Sequence, residues 1–219
     1  MSCDLTVEEA RAALDERVRE SMKWHFSPET GCPYWLDRAT GLGFDPIAEV
    51  TCFADMQKFP NFDDEVLRKE DPARFIPKAY EGQPYNVFET GGTTGMPKQR
   101  IGWEDYKTDY SEFSDHYATD FFPQGGNWLM VGPTGPRRLR LSIEHLANRR
   151  GGACYFIDLD PRWVKRLISD GEYGMARKYQ EHVLDQVVTI LKHRKIGCLF
   201  STPRLLEALS EHLSIPDAG

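Results

Sequence analysis

The sequence predicts an α/β fold in which a largely parallel sheet carries helices on both faces. Short, continuously apolar segments at residues 128–131, 153–157 and 198–200 alternate with segments of helical periodicity. Strands that are buried on both faces of a parallel sheet read as uniform apolar runs, and their alternation with helices is typical of βαβ units. A chain of 219 residues is also long enough to build its core without disulfides or a structural metal.

The N-terminal part is predicted to consist of one long helix and a segment that wraps a core. Thr6 and Glu9 have the spacing of a capping box. Apolar residues then recur at helical spacing and predict a helix over residues 6 to about 24: Val7, Ala10, Leu14, Val18 and Met22. Residues 27–83 are rich in Pro, Gly and Asp, with a short helix predicted near 63–70, and we expect this segment to surround a core rather than form one.

The second part, residues 84–219, is predicted to be the βαβ core, so that 1–83 and 84–219 form the two parts of one domain. A strand at 85–89 precedes a loop rich in Gly and Thr. A helix at 103–122 then carries an aromatic stripe, which we expect to pack on the core: Tyr106, Tyr110, Phe113, Tyr117 and Phe121. Further helices are predicted around 142–148, 161–169 and 179–195, and after the Ser-Thr-Pro sequence at 201–203.

Composition excludes several classes of function. The formal net charge is −7, from 27 Lys and Arg against 34 Asp and Glu, which argues against a general nucleic-acid binder. No apolar run approaches the length of a membrane span, and the N-terminus lacks the layout of a signal peptide, so we expect a cytoplasmic protein without membrane attachment. The five cysteines are widely separated and form no C-x-x-C pair, so we expect free or buried thiols and no metal site.

Residues 90–98, directly after a predicted strand, carry the clearest chemical signal. They read Thr-Gly-Gly-Thr-Thr-Gly-Met-Pro-Lys. Glycines allow a tight turn that brings backbone N–H groups near an anion, and the hydroxyls and the Lys98 ammonium add donors without an acidic competitor. The spacing differs from a P-loop, in which Lys directly follows the last Gly. The segment is therefore predicted to bind phosphate.

This segment resembles the phosphate-binding loop of the adenylate-forming superfamily, which comprises acyl-CoA synthetases, adenylation domains and luciferases. The family pattern is Ser or Thr, then Ser or Gly, then G-T-T-G, any residue, and P-K, and residues 90–98 match it throughout. The layout of the whole chain is similar to the phenylacetate-CoA-ligase-like branch. The matching pieces are the opening helix, the Pro-Tyr-Trp sequence at 33–35 and residues 55–59.

The resemblance implies the N-terminal portion of the large domain of an ATP-dependent ligase. In that family a carboxylate attacks the α-phosphate of ATP to give an acyl-adenylate and pyrophosphate, and a thiol of coenzyme A or of phosphopantetheine then takes the acyl group. Mg²⁺ assists the first step. The resemblance assigns the β- and γ-phosphates to the loop and its residues Thr90, Gly91, Gly92, Thr93, Thr94, Gly95 and Lys98.

The acyl-substrate pocket is predicted at the turn that follows the strand at 128–131. The resemblance points to Pro133, Thr134 and Gly135, followed by the helix with His145. The carboxyl ends of parallel strands are where α/β sheets bind ligands. The same Pro-Thr-Gly-Pro sequence is also an ordinary tight turn, and His145 beside apolar neighbours also fits a half-buried structural histidine. The resemblance implies a carboxylic acid as the substrate, either an aromatic or another small organic acid.

Asp158 and Asp160 follow another strand, where two carboxylates suggest a Mg²⁺ site. Asp160 before Pro161 instead has the form of a helix N-cap followed by Pro at the first helical position. We therefore expect a cap here rather than a metal site.

Several functional motifs of the family have no counterpart in these 219 residues. They include the Thr-Glu pair that helps to hold Mg²⁺, the acidic residue on the ribose and the C-terminal domain with its catalytic lysine. The catalytic residues are thus expected outside this sequence, in a missing C-terminal half or a second polypeptide, and the isolated chain is expected to be nearly inactive. The alternative is a non-catalytic nucleotide-binding or scaffold module derived from the family.

Overall fold

A computed structural model describes residues 5–90, 95–135 and 137–213. The described chain divides into two compact units. The first extends to Val87 and includes Gln99–Ile101, and the second comprises the described residues of Phe88–Lys98 and the chain from Gly102 onward. No helix in the described part of the chain is both long enough and apolar enough to span a membrane.

The first unit is built on a long helix that begins where the capping box predicts. The unit contains α1 (Val7–Phe26), α2 (Pro33–Ala39), α3 (Pro46–Glu49), α4 (Val66–Lys69) and three short 3₁₀ helices at Phe53–Lys58, Pro72–Phe75 and Lys78–Tyr80. The Thr6 hydroxyl accepts a hydrogen bond from the Glu9 N–H at 3.2 Å, and the Glu9 carboxylate accepts one from the Thr6 N–H at 2.8 Å. The predicted cap is therefore confirmed.

The segment after α1 contributes to a small core instead of only surrounding one. Val18, Met22 and Phe26 of α1 pack with the fully buried Val50, and the Phe26 ring stacks on Phe59 at 5.7 Å between centroids. The first half of the apolar stripe of α1 stays outside this core, with Val7 77% and Leu14 44% exposed. Helical spacing alone could not distinguish these two halves of α1.

Asp55 holds the start of the Phe53–Lys58 helix together. Its carboxylate accepts hydrogen bonds from the N–H groups of Thr51 at 2.9 Å and Cys52 at 3.2 Å, and it pairs with Lys58 at 3.0 Å. These bonds, chiefly the backbone N–H donation from Thr51, hold the pKa of Asp55 well below its ordinary value. The ionised form is therefore favoured by the folded state.

A lowered pKa stabilises the fold above the unfolded-state pKa, about 3.9 for Asp, and this contribution disappears as the pH falls toward the folded-state pKa. We expect Asp55→Asn to lower the free energy of unfolding at pH 7 and to differ progressively less from the parent below about pH 4. Urea titrations at pH 7, 5 and 3 measure this. The control is Glu81→Gln, which removes an exposed carboxylate whose side chain has no partner among the described residues. A difference in the free energy of unfolding between the parent and Asp55→Asn that stays constant with pH would contradict a lowered pKa for Asp55.

The second unit contains a three-stranded sheet and the remaining helices. A separate two-stranded sheet pairs β1 (Asn86–Glu89) with β2 (Gln99–Gly102), and each of these strands has residues assigned to both units. The other elements are α5 (Asp105–His116), β3 (Trp128–Val131), α6 (Arg137–Arg149), β4 (Cys154–Phe156), α7 (Pro161–Ser169), α8 (Tyr173–His193), β5 (Cys198–Ser201) and α9 (Pro203–Ser210).

Within the described residues, β3 is the central strand of a three-stranded parallel sheet of order β4-β3-β5. Leu129 and Val131 pack on one face with residues of α8 and α9. Trp128 and Met130 pack on the other face with residues of α6. The α/β fold with a parallel sheet and helices on both faces is confirmed.

α5 is shorter than the predicted helix at 103–122. It ends at His116, and Tyr117 is extended. The predicted aromatic stripe is accordingly not one buried face, because Phe113 is 50% and Phe121 78% exposed. The helix ends early because the Arg150 guanidinium donates to the carbonyl oxygens of Ser114 (2.8 Å) and Phe122. Periodicity within residues 103–122 could not predict a contact with a residue so distant in sequence.

The end of α6 is closed by two glycines. The Gly152 N–H donates to the Ala147 carbonyl and the Gly151 N–H to the Asn148 carbonyl, both at 3.0 Å, and Gly151 has φ +81°. These bonds form a Schellman motif, in which the left-handed position favours glycine. The same segment contacts the chain before β3, since the Gly125 N–H donates to the Arg150 carbonyl at 2.7 Å.

Candidate functional site

The predicted phosphate-binding loop has its two ends fastened to each other. The Thr90 N–H donates to the Lys98 carbonyl at 3.0 Å, and the Lys98 N–H donates to the Thr90 hydroxyl oxygen at 3.1 Å. Gly95 has φ +135°, a conformation that residues with a side chain rarely adopt. The remaining predicted loop residues, Gly91, Gly92, Thr93 and Thr94, lie outside the described residues.

The strand that leads into the loop is anchored by Phe88. Its buried ring lies against Gly102 of β2, where an added Cβ would be only 2.9 Å from a ring carbon. The Arg138 guanidinium lies over the Phe88 ring, 5.9 Å from its centroid. The same guanidinium pairs with Asp105 at 2.7 Å and with Asp109 at 3.2 Å. Packing and ion pairs therefore fix β1 close to the start of the loop.

Arg162 is a candidate site residue that the sequence reasoning did not single out. Its guanidinium lies 4.0 Å from the Glu89 carboxylate at the end of β1 and 3.4 Å from Asp160. A Cβ at Gly135 would lie 3.3 Å from an Nη atom of Arg162. A cation thus stands beside both the strand before the loop and the turn after β3. The only sequence signal was its position directly after the Asp-Pro that opens α7.

The predicted substrate turn lies at the carboxyl edge of the parallel sheet. Pro133 and Thr134 are half-buried, and Gly135 is exposed. The Thr134 N–H donates to the Leu159 carbonyl at 3.4 Å, which ties the turn after β3 to the segment after β4. The turn is therefore connected to Leu159 and Arg162, and its role as an acyl pocket stays a prediction.

His145, the fourth predicted substrate residue, lies on α6 and contacts α5. Its Nε2 atom is 3.0 Å from the Ser111 hydroxyl oxygen, and its ring stands edge-on to Tyr106 at 6.4 Å between centroids. Neither neighbour is one of the predicted site residues. These contacts account for a half-buried histidine at an interface between helices, while its contact with substrate stays a prediction.

Asp160 acts as the predicted helix cap. Its carboxylate accepts a hydrogen bond from the Arg162 N–H at 2.9 Å, and Pro161 is the first residue of α7. Asp158 is exposed, and its backbone exchanges hydrogen bonds with the Gln186 side chain. Over residues 5–90, 95–135 and 137–213, no group of three or more His, Cys, Asp or Glu side chains is arranged to hold a metal ion.

The cysteines of the described chain are free thiols: Cys32, Cys52, Cys154 and Cys198. Burial raises the pKa of the Cys154 thiol on β4 to about 12, and it also raises the pKa of Cys32 and Cys198. A thiol with a raised pKa is a poor nucleophile at neutral pH, because the thiolate is the reactive form.

Comparison with known proteins finds similar folds among solved structures. No family model matches the chain, and no curated protein matches it. The crystal structure of a 2-hydroxyisobutyryl-CoA ligase, in complex with 2-HIB-AMP and CoA in the thioesterification state, is similar with a TM-score of 0.52 and 15% sequence identity. The match covers 94% of this chain and 47% of the ligase chain. At this identity the similarity shows the fold alone, and the chain spans about half the length of that ligase.

Proposed function

We propose that this chain is the phosphate-binding part of an ATP-dependent, carboxylate-activating ligase of the adenylate-forming superfamily. The observation that carries the proposal is the segment 90–98, which matches the phosphate-binding loop of the superfamily and whose ends, Thr90 and Lys98, are joined by two hydrogen bonds. The fold similarity to a CoA ligase that was crystallised with an acyl-adenylate and CoA supports it.

In this proposal the chain binds and orients the polyphosphate of ATP. The two hydrogen bonds between Thr90 and Lys98 hold the ends of the segment together, and successive backbone N–H groups of a glycine-rich turn are a common anion-binding element. Lys98 supplies an ammonium at one end of the loop, and Arg162 adds a guanidinium beside Glu89 and Gly135. Preorganised donors of this kind stabilise the negative charge that develops as pyrophosphate leaves.

The finer assignments rest on the resemblance. They are the large-domain position of the chain, the phenylacetate-CoA-ligase-like branch, a small organic acid as substrate at the turn 133–135, and a coenzyme A or phosphopantetheine acceptor. The proposed cytoplasmic location rests instead on the sequence pattern of the N-terminus and of the apolar runs. Mg²⁺ belongs to the reaction of the family. Among the described residues, no three His, Cys, Asp or Glu side chains are grouped as metal ligands.

The first test is the binding of ATP to Lys98→Ala. This substitution removes the ammonium but leaves the Lys98 N–H and carbonyl that close the loop. Hydrogen bonds to charged groups contribute about 1.5–3 kcal/mol, so we expect binding to weaken by about 10- to 100-fold. Isothermal titration calorimetry with ATP and Mg²⁺ measures the change.

Lys107→Ala is the matched control, since Lys107 is a lysine of α5 in the same unit and pairs with Glu104, the residue before α5. This variant is expected to bind ATP like the parent. Pyrophosphate should compete with ATP, and AMP should compete poorly, because the proposal assigns the β- and γ-phosphates to this loop. A folded parent that binds no ATP, or a Lys98→Ala variant that binds it unchanged, would refute the proposal and favour a scaffold module.

A further inference from the structure

A cavity lies at the carboxyl edge of the parallel sheet. Its volume is about 530 Å³, within the size range of small-molecule sites. It is bounded by the residues that follow each strand, Pro133 after β3, Leu159 after β4 and Thr202 after β5, and by residues of α7, α8 and α9. The crevice outside the carboxyl ends of parallel strands is the usual place for a ligand in this class of fold.

The walls of this cavity are largely apolar and already in place. Val164, Val183 and Leu205 line it from the three helices. Tyr179 is fixed there because its hydroxyl oxygen accepts a hydrogen bond from the Asp160 N–H at 2.8 Å. Tyr173 also lines the cavity and is 68% exposed. An apolar body therefore fits this cavity without a large rearrangement.

Three cations line the same cavity: Lys165, Arg177 and Arg204. None of the described lining residues carries a carboxylate, and none of the three cations makes a hydrogen bond or ion pair with its side chain to a described residue. Two arginines of the same unit, by contrast, have acidic partners. Arg149 pairs with Asp115 and Arg166 with Asp170. In a chain of net charge −7, three cations around one apolar cavity without an acidic partner in the described part of the chain are a specific feature.

We propose that this cavity binds an amphipathic organic phosphate, that is, a phosphate monoester with an apolar body. A phosphate monoester carries a charge of about −1.5 to −2 at pH 7 and three acceptor oxygens, and it matches three cations better than a single carboxylate does. Guanidinium groups bind phosphate in a bidentate manner. The apolar body replaces water on the walls formed by α7, α8 and α9.

The test uses n-octyl phosphate as the probe and calorimetry without nucleotide. We expect octyl phosphate to bind at least tenfold more tightly than octanoate, octanol or inorganic phosphate, because only the probe combines the apolar body with the full charge. The double variant Arg177→Gln, Arg204→Gln should weaken binding of the probe at least tenfold. Ala176→Phe, which places a ring in the cavity from α8, should abolish it.

Lys178→Gln, Lys192→Gln is the matched control, since it removes two exposed charges of α8 that do not line the cavity. The affinity of this variant for the probe should be within about twofold of that of the parent. Lys98→Ala should also keep this affinity, so that failure of the ATP-binding proposal can be distinguished from failure of this one. Equal binding of octanol would overturn the role of charge, and equal binding of inorganic phosphate would overturn the role of the apolar walls. Unchanged affinity in the double variant, with its fold verified by circular dichroism, would overturn the site.

Discussion

Gly152→Ala is expected to abolish the stable fold of the second unit. A Cβ at Gly152 would lie 1.9 Å from the carbonyl oxygen and 2.7 Å from the carbonyl carbon of Gly126. Both are backbone atoms, so no side chain can move aside to make room. The chain before β3 would have to shift, although the Gly125 N–H bond to Arg150 and the Trp128 N–H bond to Ala153 hold it in place. We expect a loss of at least about 4 kcal/mol in the free energy of unfolding.

Urea unfolding followed by far-UV circular dichroism measures this loss. Gly174→Ala is the control, because Gly174 lies in α8 with no atom within 4 Å of its added Cβ. Alanine loses less conformational entropy in a helix than glycine does, so this variant should match the parent or gain up to about 1 kcal/mol. A Gly152→Ala protein as stable as the Gly174→Ala protein would show that the two chain segments do not approach so closely.

Arg150→Ala is expected to lower the free energy of unfolding by about 3–5 kcal/mol. Arg150 is 1% exposed, the largest of the fully buried side chains. Its guanidinium donates to the Ser114 carbonyl and hydroxyl and to the Phe122 carbonyl. Alanine would remove the donor from the Phe122 carbonyl and the Ser114 hydroxyl, leave the Ser114 carbonyl with the Tyr117 N–H alone, and open a cavity the size of the side chain. Chemical denaturation with urea provides the measurement.

The adjacent residue provides the control for this substitution. Arg149 is partly exposed and pairs with Asp115 at 3.0 Å, and exposed ion pairs contribute about 0–1 kcal/mol. Arg149→Ala should therefore cost less than about 1 kcal/mol. Arg150→Lys should fall between the two alanine variants, because a single ammonium lacks the planar fork that reaches both carbonyls. Equal losses at positions 149 and 150 would contradict a buried role for Arg150.

Patterns among neighbouring residues in the sequence predicted much of the second unit. α7 spans Pro161–Ser169 as expected from Asp160 and Pro161, and the three apolar runs are the strands of the parallel sheet. The predictions failed where contacts with residues distant in sequence determine the local structure. α5 ends at His116 because Arg150 binds its last turn. β2 has no apolar run, and its pairing with β1 brings Gly102 against Phe88, a contact between residues that are not neighbours in sequence.

The candidate site was predictable to the extent that it is local in sequence. Residues 90–98 form one continuous motif, whereas the position of Arg162 beside Glu89 and Gly135 depends on the packing of α7. The three cations of the cavity at the carboxyl edge of the sheet come from α7, α8 and α9. No periodicity relates Lys165, Arg177 and Arg204, so only the fold reveals that they share one cavity.

The two-sided packing of β3 has a consequence for strand register. Its four residues are all apolar and all buried, so hydropathy alone cannot distinguish one register from its neighbour. A slip by one residue would move Trp128 and Met130 into the space that holds Leu129 and Val131. That exchange would overfill one core and leave voids in the other. In this sheet, the correct alignment of the strands is therefore selected by side-chain volume rather than by polarity.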